Sequence, residues 1–412
     1  MKAVKTVKAA QPAVEGRGPL AGIRVIDLTA VVLGPMCTRE LADLGADVIK
    51  IESPEGDMMR SNGVSLHPGM SSIYLALNRN KRSVKLDLKG EAGRRALSGL
   101  IETADVLIHN MRVAAIERLG FGYEAVRAIN PKIIYCATPG FGQDGPHYDR
   151  PAFDDVIQAS CGLVGVNALG QDKPDYTPSL IADKTAGLAA VNAVLAALVC
   201  RERQGIAQYV EVPMLETMTA FMLTEHMGGM TFPGHPELPA GYARLLHGGR
   251  QPSPTADGWI AVLPYTERHW HAFFELAGRA DLFETLGVAN RHTRNANIQS
   301  IYTELRKITR TKTTAEWTAI CDEIDVPCAP IYALEDLAEH PHLKAVGLFE
   351  DVEHPTEGRI RQIRPTARFS ETPVCIRSLA PTLGQHTEEV LEEAGLLVED
   401  GAPGAGCVAQ HR

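Results

Sequence analysis

The sequence predicts an α/β protein: a large domain on a parallel sheet, then a smaller α+β domain. Three observations predict it. Short β-branched runs alternate with amphipathic helical patterns from residue 18 to about 145. An alanine-rich helical pattern follows at Asp183 to Arg203. From about His226 to Pro330 the chain turns to a Gly/Pro-rich loop and to helical patterns carrying Trp270 and Trp317. The expected organisation is a large domain at 18–225, a small domain at 226–330 and a C-terminal segment at 331–396 that returns to the large domain. Residues 1–17 and 397–412 read as flexible tails.

The elements follow in order. Ile23 to Leu28 is a short, β-branched buried strand, and a helix runs from about Met36 to Leu44. Gly45 suits a left-handed cap, and Ala46 to Glu52 is the next strand, closing a β-α-β unit. The pattern recurs as RSVKLDL (strand), GEAGRRALSGLIETA (helix), DVLIHN (strand), a helix near Val113 to Leu119, and KIIYCAT (strand). After the alanine-rich helix come AQYVEVPM as strand and MLETMTAFMLTEHM as helix. Strand WIAVLP belongs to the small domain, and GQHTEEVLEEAGL forms a terminal helix.

Composition narrows the function. The 412 residues are 45% hydrophobic and 22% charged, enough for two cores. A net charge of −9 argues against a general nucleic-acid surface. Eight cysteines without a CxxC pair indicate neither a zinc ribbon nor a disulfide framework, and suit a reducing cytoplasm. The first eighteen residues lack the apolar core of a signal peptide. Thr185 to Cys200, the most apolar stretch, is too short to span a bilayer and carries Asn192, so a helix inside a protein is expected and no membrane anchor.

The chemistry has few candidates. The first β-α turn lacks GxGxxG, so a dinucleotide enzyme is unsupported. There is no P-loop, HExxH or GxSxG, and the pairs His269/His271 and His340/His342 lack converging acidic or cysteine partners, so no metal is expected. Asp183 stands in SLIADKTAGLAAVNAVLAAL before the alanine-rich helix, where an aspartate can cap the first turn. The same helix N-terminus favours an ionised carboxylate, which is an oxygen nucleophile.

The ordered set PLAGIRVIDLT, GPMCTRELADLGADVIKIE, GDMMR, NRNKRSVKLDLK, ADVLIHN, LGFGYEAVRAINPKIIYC, GFGQDGP, FDDVIQASCG and GQHTEEVL resembles the family III CoA-transferases (CaiB/BaiF, formyl-CoA transferase-like) over residues 18 to 396. The resemblance implies a Rossmann-like large domain, an interlocked homodimer, and transfer of coenzyme A from an acyl-CoA, with succinyl-CoA as a candidate donor, to a carboxylic acid. Coenzyme A is then a substrate, and no cofactor is implied. Asp183 matches the catalytic aspartate of the family. Matching motifs imply coenzyme A contacts at Val32 and Leu33 near the entrance, at Leu86 and Lys89 in KLDLK, at Asn110 and Met111 after ADVLIH, and at Arg118 in ERLGFG. Lys89 and Arg118 are either phosphate contacts or solvated surface charges.

Gly248 and Gly249 in HGGRQP resemble a mobile glycine loop that covers the aspartate in relatives, although Arg250 interrupts the run and an ordinary domain loop reads as well. Asp154 is either a second acidic group near the site or a buried structural carboxylate. Some formyl-CoA transferases have glutamine where Val32 stands, a departure from formyl-CoA and oxalate specificity. Two alternatives stay open. An α-methylacyl-CoA racemase would need a proton-exchanging histidine where this chain has Phe153. His147 lies nearby, in what reads as an exposed turn. A non-catalytic CoA-binding protein of the same fold would not need Asp183.

Overall fold

The computed structural model describes residues 18–169, 173–246 and 250–396. They group into two compact units: one of 18–161, 178–219 and 348–396, the other of Gly162–Thr177 and Ala220–Gly347. Residues 331–347 therefore cluster with the second unit rather than with the C-terminal segment, and 162–177 leave the first unit for the second.

The first unit is built on six parallel strands, β1 (Arg24–Asp27), β2 (Asp47–Glu52), β3 (Lys81–Lys85), β4 (Val106–His109), β5 (Ile134–Ala137) and β6 (Tyr209–Glu211), in the order β3-β2-β1-β4-β5-β6. Side chains alternate along each strand, so both faces need cover. Ile26, Ile49, Leu107 and Tyr135 join one apolar cluster, with Leu97 and Leu100 of helix Glu91–Glu102 above them. Val25, Val48, Ile108 and Cys136 join the other, under the helices Leu33–Asp43 (α1) and Ile181–Gln204.

The order of strands reverses at β1 and β4. Loops leaving neighbouring strands there diverge to opposite faces and open a crevice at their carboxyl ends, where ligands of such sheets bind. The exposed edge, β3, is covered by the chain's own C-terminal segment. Asn80 N donates to Ser378 O at 2.9 Å, His386 N donates to Ser83 O at 2.9 Å, and Arg82 pairs with Glu389 and Glu393 of the last helix, Thr387–Glu393.

A short helix, Asp154–Ser160 (α2), was not foreseen in the sequence, because seven residues hold too few apolar repeats to show a period. The alanine-rich helix (α3) runs Ile181–Gln204, starting two residues before Asp183 and ending at Gly205 with φ 71°. At 24 residues it is longer than expected and could span a bilayer by length and composition. Its buried stripe, with Ala182, Asp183, Ala186, Gly187, Ala190 and Val194, is instead covered by this fold. Small residues let it lie close to α1. A Cβ on Gly187 would stand 2.7 Å from the Leu33 carbonyl oxygen.

The second unit holds a three-stranded antiparallel sheet, with the middle strand Trp259–Val262 paired to Ser253–Pro254 and Cys328–Pro330. Helices Glu267–Leu276, Ile298–Thr309 and Thr314–Glu323 bury Trp270, Phe273, Phe274 and Trp317 against it. Trp317 is satisfied by donating its Nε1–H to Thr309 O at 2.7 Å.

Candidate active site

The β1–α1 loop at the crevice is held from three sides. Asp27, at the end of β1, accepts from Thr29 N and Thr38 Oγ1 at 2.9 and 2.6 Å and pairs with Lys81 at 3.2 Å. All of Asp27, Lys50 and Lys81 are fully buried. Burial pushes the Asp27 carboxyl up, but Lys81, Lys50 and two hydroxyls outweigh it and hold the group at about 2. Burial dominates at Lys81, which falls to about 8. Lys50 Nζ bridges the Thr29 carbonyl at 2.8 Å and Asp57 Oδ2 at 2.9 Å. Asp57 Oδ1 accepts from Val31 N at 3.2 Å.

These ties hold Val31 at φ 72°, a left-handed conformation costly for a β-branched residue. The strained residue delivers Val32 and Leu33 into the start of α1. On the other side of the crevice, Asn110 clips the loop: its Nδ2 donates to Ala30 O at 2.7 Å and its Oδ1 accepts from Ala30 N at 3.0 Å. The Asn110 amide thus joins the two loops that leave β1 and β4.

Asp183 is the third residue of α3, not its cap; Leu180 occupies the cap position. Four residues before Gly187, it lies on the face that touches α1. Its backbone N–H donates to Asp154 Oδ1 at 2.9 Å, so Asp154 takes the capping role the sequence suggested for Asp183. Gln158, one turn along α2, donates its Nε2 to Asp154 Oδ2 at 2.6 Å and to Ser179 O at 3.2 Å. Asp183 and Asp154 are 7% and 3% exposed, which places two carboxylates side by side in a nearly dry setting.

The electrostatics reverse the expectation of a strongly ionised aspartate. Burial first, then the negative charges of Asp154 and Asp155, push the Asp183 carboxyl up to about 7. The helix N-terminus does not compensate, since the amide of Asp183 itself is already bonded to Asp154.

Beside this first turn lies a cleft of about 370 Å³ lined by Val32, Met36, Ile73, Leu77 and Leu180, with Arg39 and Lys184 as its cations. Lys184 Nζ donates to Ser179 Oγ at 2.6 Å, and Arg39 pairs with Glu40. Val32 therefore shares the neighbourhood of Asp183. Leu33 is buried, and its carbonyl abuts α3.

Leu86 and Met111 follow the carboxyl ends of β3 and β4 and pack in one apolar cluster. Lys89 and Arg118 are exposed, and Arg118 ends the helix Val113–Arg118. Gly248 and Gly249 lie outside the described residues. Phe153, immediately before α2, is 58% exposed. His147 sits in a turn whose neighbours Pro146, Tyr148 and Asp149 are exposed, as expected, but is itself half-buried, with its ring edge on Phe141 at 5.7 Å.

Sequence reasoning missed the Gln158 and Ser179 supports of the Asp183 turn, the negative charge of Asp155 near it, the Lys50–Asp57 tie and the strain at Val31. The doubled acid of FDDVIQA, with Gln158 four residues after Asp154, was the available signal.

The parallel sheet opens a ligand crevice at its strand ends, and two buried carboxylates stand at the first turn of α3, which packs on α1. The comparisons make the class specific. Residues 20–387 match CoA-transferase family III. The succinate–glutarate CoA-transferase of Agrobacterium fabrum is 32% identical over 93% of this chain and 98% of its own. The formyl-CoA:oxalate CoA-transferase of Escherichia coli O157:H7 is 31% identical over 92% and 96%. The crystal structure of Rv3272 from Mycobacterium tuberculosis superposes with TM-score 0.79 at 30% identity, covering 90% of this chain and 99% of that one. A CaiB/BaiF family protein from Brucella suis superposes with TM-score 0.78 at 29% identity. This chain belongs to CoA-transferase family III and is a CoA-transferase.

Proposed function

We propose that this enzyme moves coenzyme A from an acyl-CoA to a free carboxylic acid through Asp183. The observation that carries the reading is the buried Asp183 carboxyl in the first turn of α3, poised at about 7. Such a carboxylate is more basic than a solvated aspartate, yet a large fraction is ionised at neutral pH.

Asp183 attacks the thioester carbonyl of the donor, and the C–S bond breaks to give a mixed anhydride and CoA thiolate. The thiolate attacks the Asp183 carbonyl, releasing the donor acid and leaving an aspartyl-CoA thioester. The acceptor carboxylate attacks that thioester, forming a second anhydride and freeing the thiolate again. The thiolate then attacks the acceptor carbonyl of this anhydride, giving the new acyl-CoA and restoring Asp183. Atoms and charge balance at each step, and no proton transfer is required.

Val32, Leu33, Leu86, Lys89, Asn110, Met111 and Arg118 are the proposed coenzyme A set. Leu86, Asn110 and Met111, just past the carboxyl ends of β3 and β4, support this with an apolar bed at Leu86 and Met111, and Lys89 and Arg118 offer unburied charge for phosphates. For Asn110 the contact would fall to its backbone, since its side-chain amide holds Ala30. The cleft at Val32 would take the acyl body. Arg39 and Lys184 in it suit a second carboxylate, which supports succinyl-CoA as donor and a dicarboxylic acceptor. Phe153 offers no exchangeable proton, which favours transfer over racemisation.

The outer stripe of α3, with Leu188 and Val199 at 48% and 54% exposure, is apolar as well. A helix apolar on two faces is one that is covered on both, which supports the interlocked homodimer. The test is incubation with succinyl-CoA or acetyl-CoA and a panel of carboxylic acids, with CoA esters read by mass spectrometry. New esters of the added acids are expected. No transfer to any acid, alongside α-proton exchange in a branched acyl-CoA, would overturn the reading.

A further inference from the structure

The second unit contains a cavity of about 700 Å³ lined by residues of that unit. Three guanidinium groups, Arg244, Arg291 and Arg294, line it together with the aromatic side chains of Tyr242, Tyr265 and Trp270. Across the first unit, partly or fully buried arginines such as Arg60, Arg79 and Arg82 sit on carboxylates. None of these three does so among the described residues. Arg244 lies over the Tyr265 ring at 5.1 Å and donates to the Tyr302 hydroxyl at 3.3 Å, while its buried Nε has no hydrogen-bond partner among the described residues. Arg294 donates one Nη to Val288 O at 2.8 Å, and Arg291 is exposed at the helix Arg291–Ala296. Among the described residues the only carboxylate on the lining is Glu267, so the cavity carries excess positive charge.

A partly buried guanidinium with an unmatched N–H is costly, and three around one cavity repel each other. An oxyanion relieves both, and the planar fork of arginine fits a carboxylate through two parallel hydrogen bonds. The size of the cavity is that of a small-molecule site, and its aromatic walls suit an apolar or flat body rather than a bare ion. We propose that this cavity is a binding site for an organic carboxylate with an apolar body, held by Arg244 and Arg291 at its charged end and by the exposed rings of Tyr242 and Tyr265 along its length. Nothing in the proposal depends on Asp183 chemistry.

The test is calorimetric titration of the full-length protein with phenylacetate, its neutral isostere phenylacetamide, and inorganic phosphate. The proposal predicts that phenylacetate binds at least tenfold more tightly than either of the others. Its affinity falls at least tenfold in Arg244→Gln and in Arg291→Gln, and is unchanged in Arg39→Gln, a substitution in the first unit that alters the cleft beside Asp183. Arg291 is exposed, so its substitution reports on binding even where Arg244→Gln disturbs folding. Unchanged affinity in the Arg291 variant, equal binding of phenylacetamide, equal binding of phosphate, or loss of binding in Arg39→Gln would each overturn it.

Discussion

Replacing Asp183 by asparagine keeps the shape of the side chain and removes its titrating charge, so the structure dictates a pH-dependent gain in stability. In the folded chain the carboxyl holds its proton up to about 7, against 3.8 for an ordinary aspartate. Below about 4 both states are protonated, and the group does not affect stability. Between there and about 7 the unfolded chain ionises first, so native stability falls as pH rises, and above 7 the full penalty is present. The gap between the two values corresponds to about 4 kcal/mol as an upper figure. Asp183→Asn should therefore be more stable than the parent by up to about 4 kcal/mol at pH 8, with that advantage shrinking steadily as the pH is lowered toward 4. Urea unfolding of both proteins at pH 5 and pH 8 measures the difference. An offset equal at the two pH values, or a variant less stable than the parent at pH 8, would refute the electrostatic account of the site.

Three further outcomes follow from the same geometry. In the free enzyme kcat/KM should rise with pH through about 7 and level off above it, because Asp183 attacks as the carboxylate; Asp154→Asn, which removes one negative neighbour, should move that rise to lower pH in a pH–rate profile. Gly187→Val should destabilise the protein by about 1–3 kcal/mol and cut activity, since even its Cβ would meet the Leu33 carbonyl at 2.7 Å; denaturant unfolding and steady-state assays check both. Asn110→Ala leaves the Ala30 N–H and C=O without their side-chain partners, so a loss of about 1–3 kcal/mol and a raised KM for acyl-CoA are expected.

The sheet was legible because its strands are short β-branched runs separated by amphipathic helices, a pattern that local periodicity reports. Boundaries slipped where tertiary contacts decide them. The first helix begins at Leu33 instead of Met36 because a strained Val31, tied to Asp57 and followed by Pro35, opens it. The position of Asp183 at the start of the long helix is visible in the sequence, and of its two readings, cap and nucleophile, the structure gives the capping bond to Asp154. Asp154, 29 residues earlier in the chain, supplies that bond, and no local pattern reports a contact at that separation. The sign of the Asp183 shift was hidden for the same reason: a helix N-terminus is a local feature, whereas burial and a second carboxylate come from the fold. The sequence places 331–347 in the C-terminal segment because strand-like texture begins after Pro330, whereas their contacts group them with the second unit.

The central claim is a covalent bond between coenzyme A and the carboxyl of Asp183. The direct measurement is to mix the enzyme with succinyl-CoA, quench with hydroxylamine, and map the modified peptide by mass spectrometry. The account predicts a hydroxamate at Asp183, absent without the acyl-CoA and absent in Asp183→Asn, together with loss of transfer in Asp183→Ala. An unmodified Asp183 peptide under turnover with full transfer activity, or an Asp183→Ala variant as active as the parent, would contradict it.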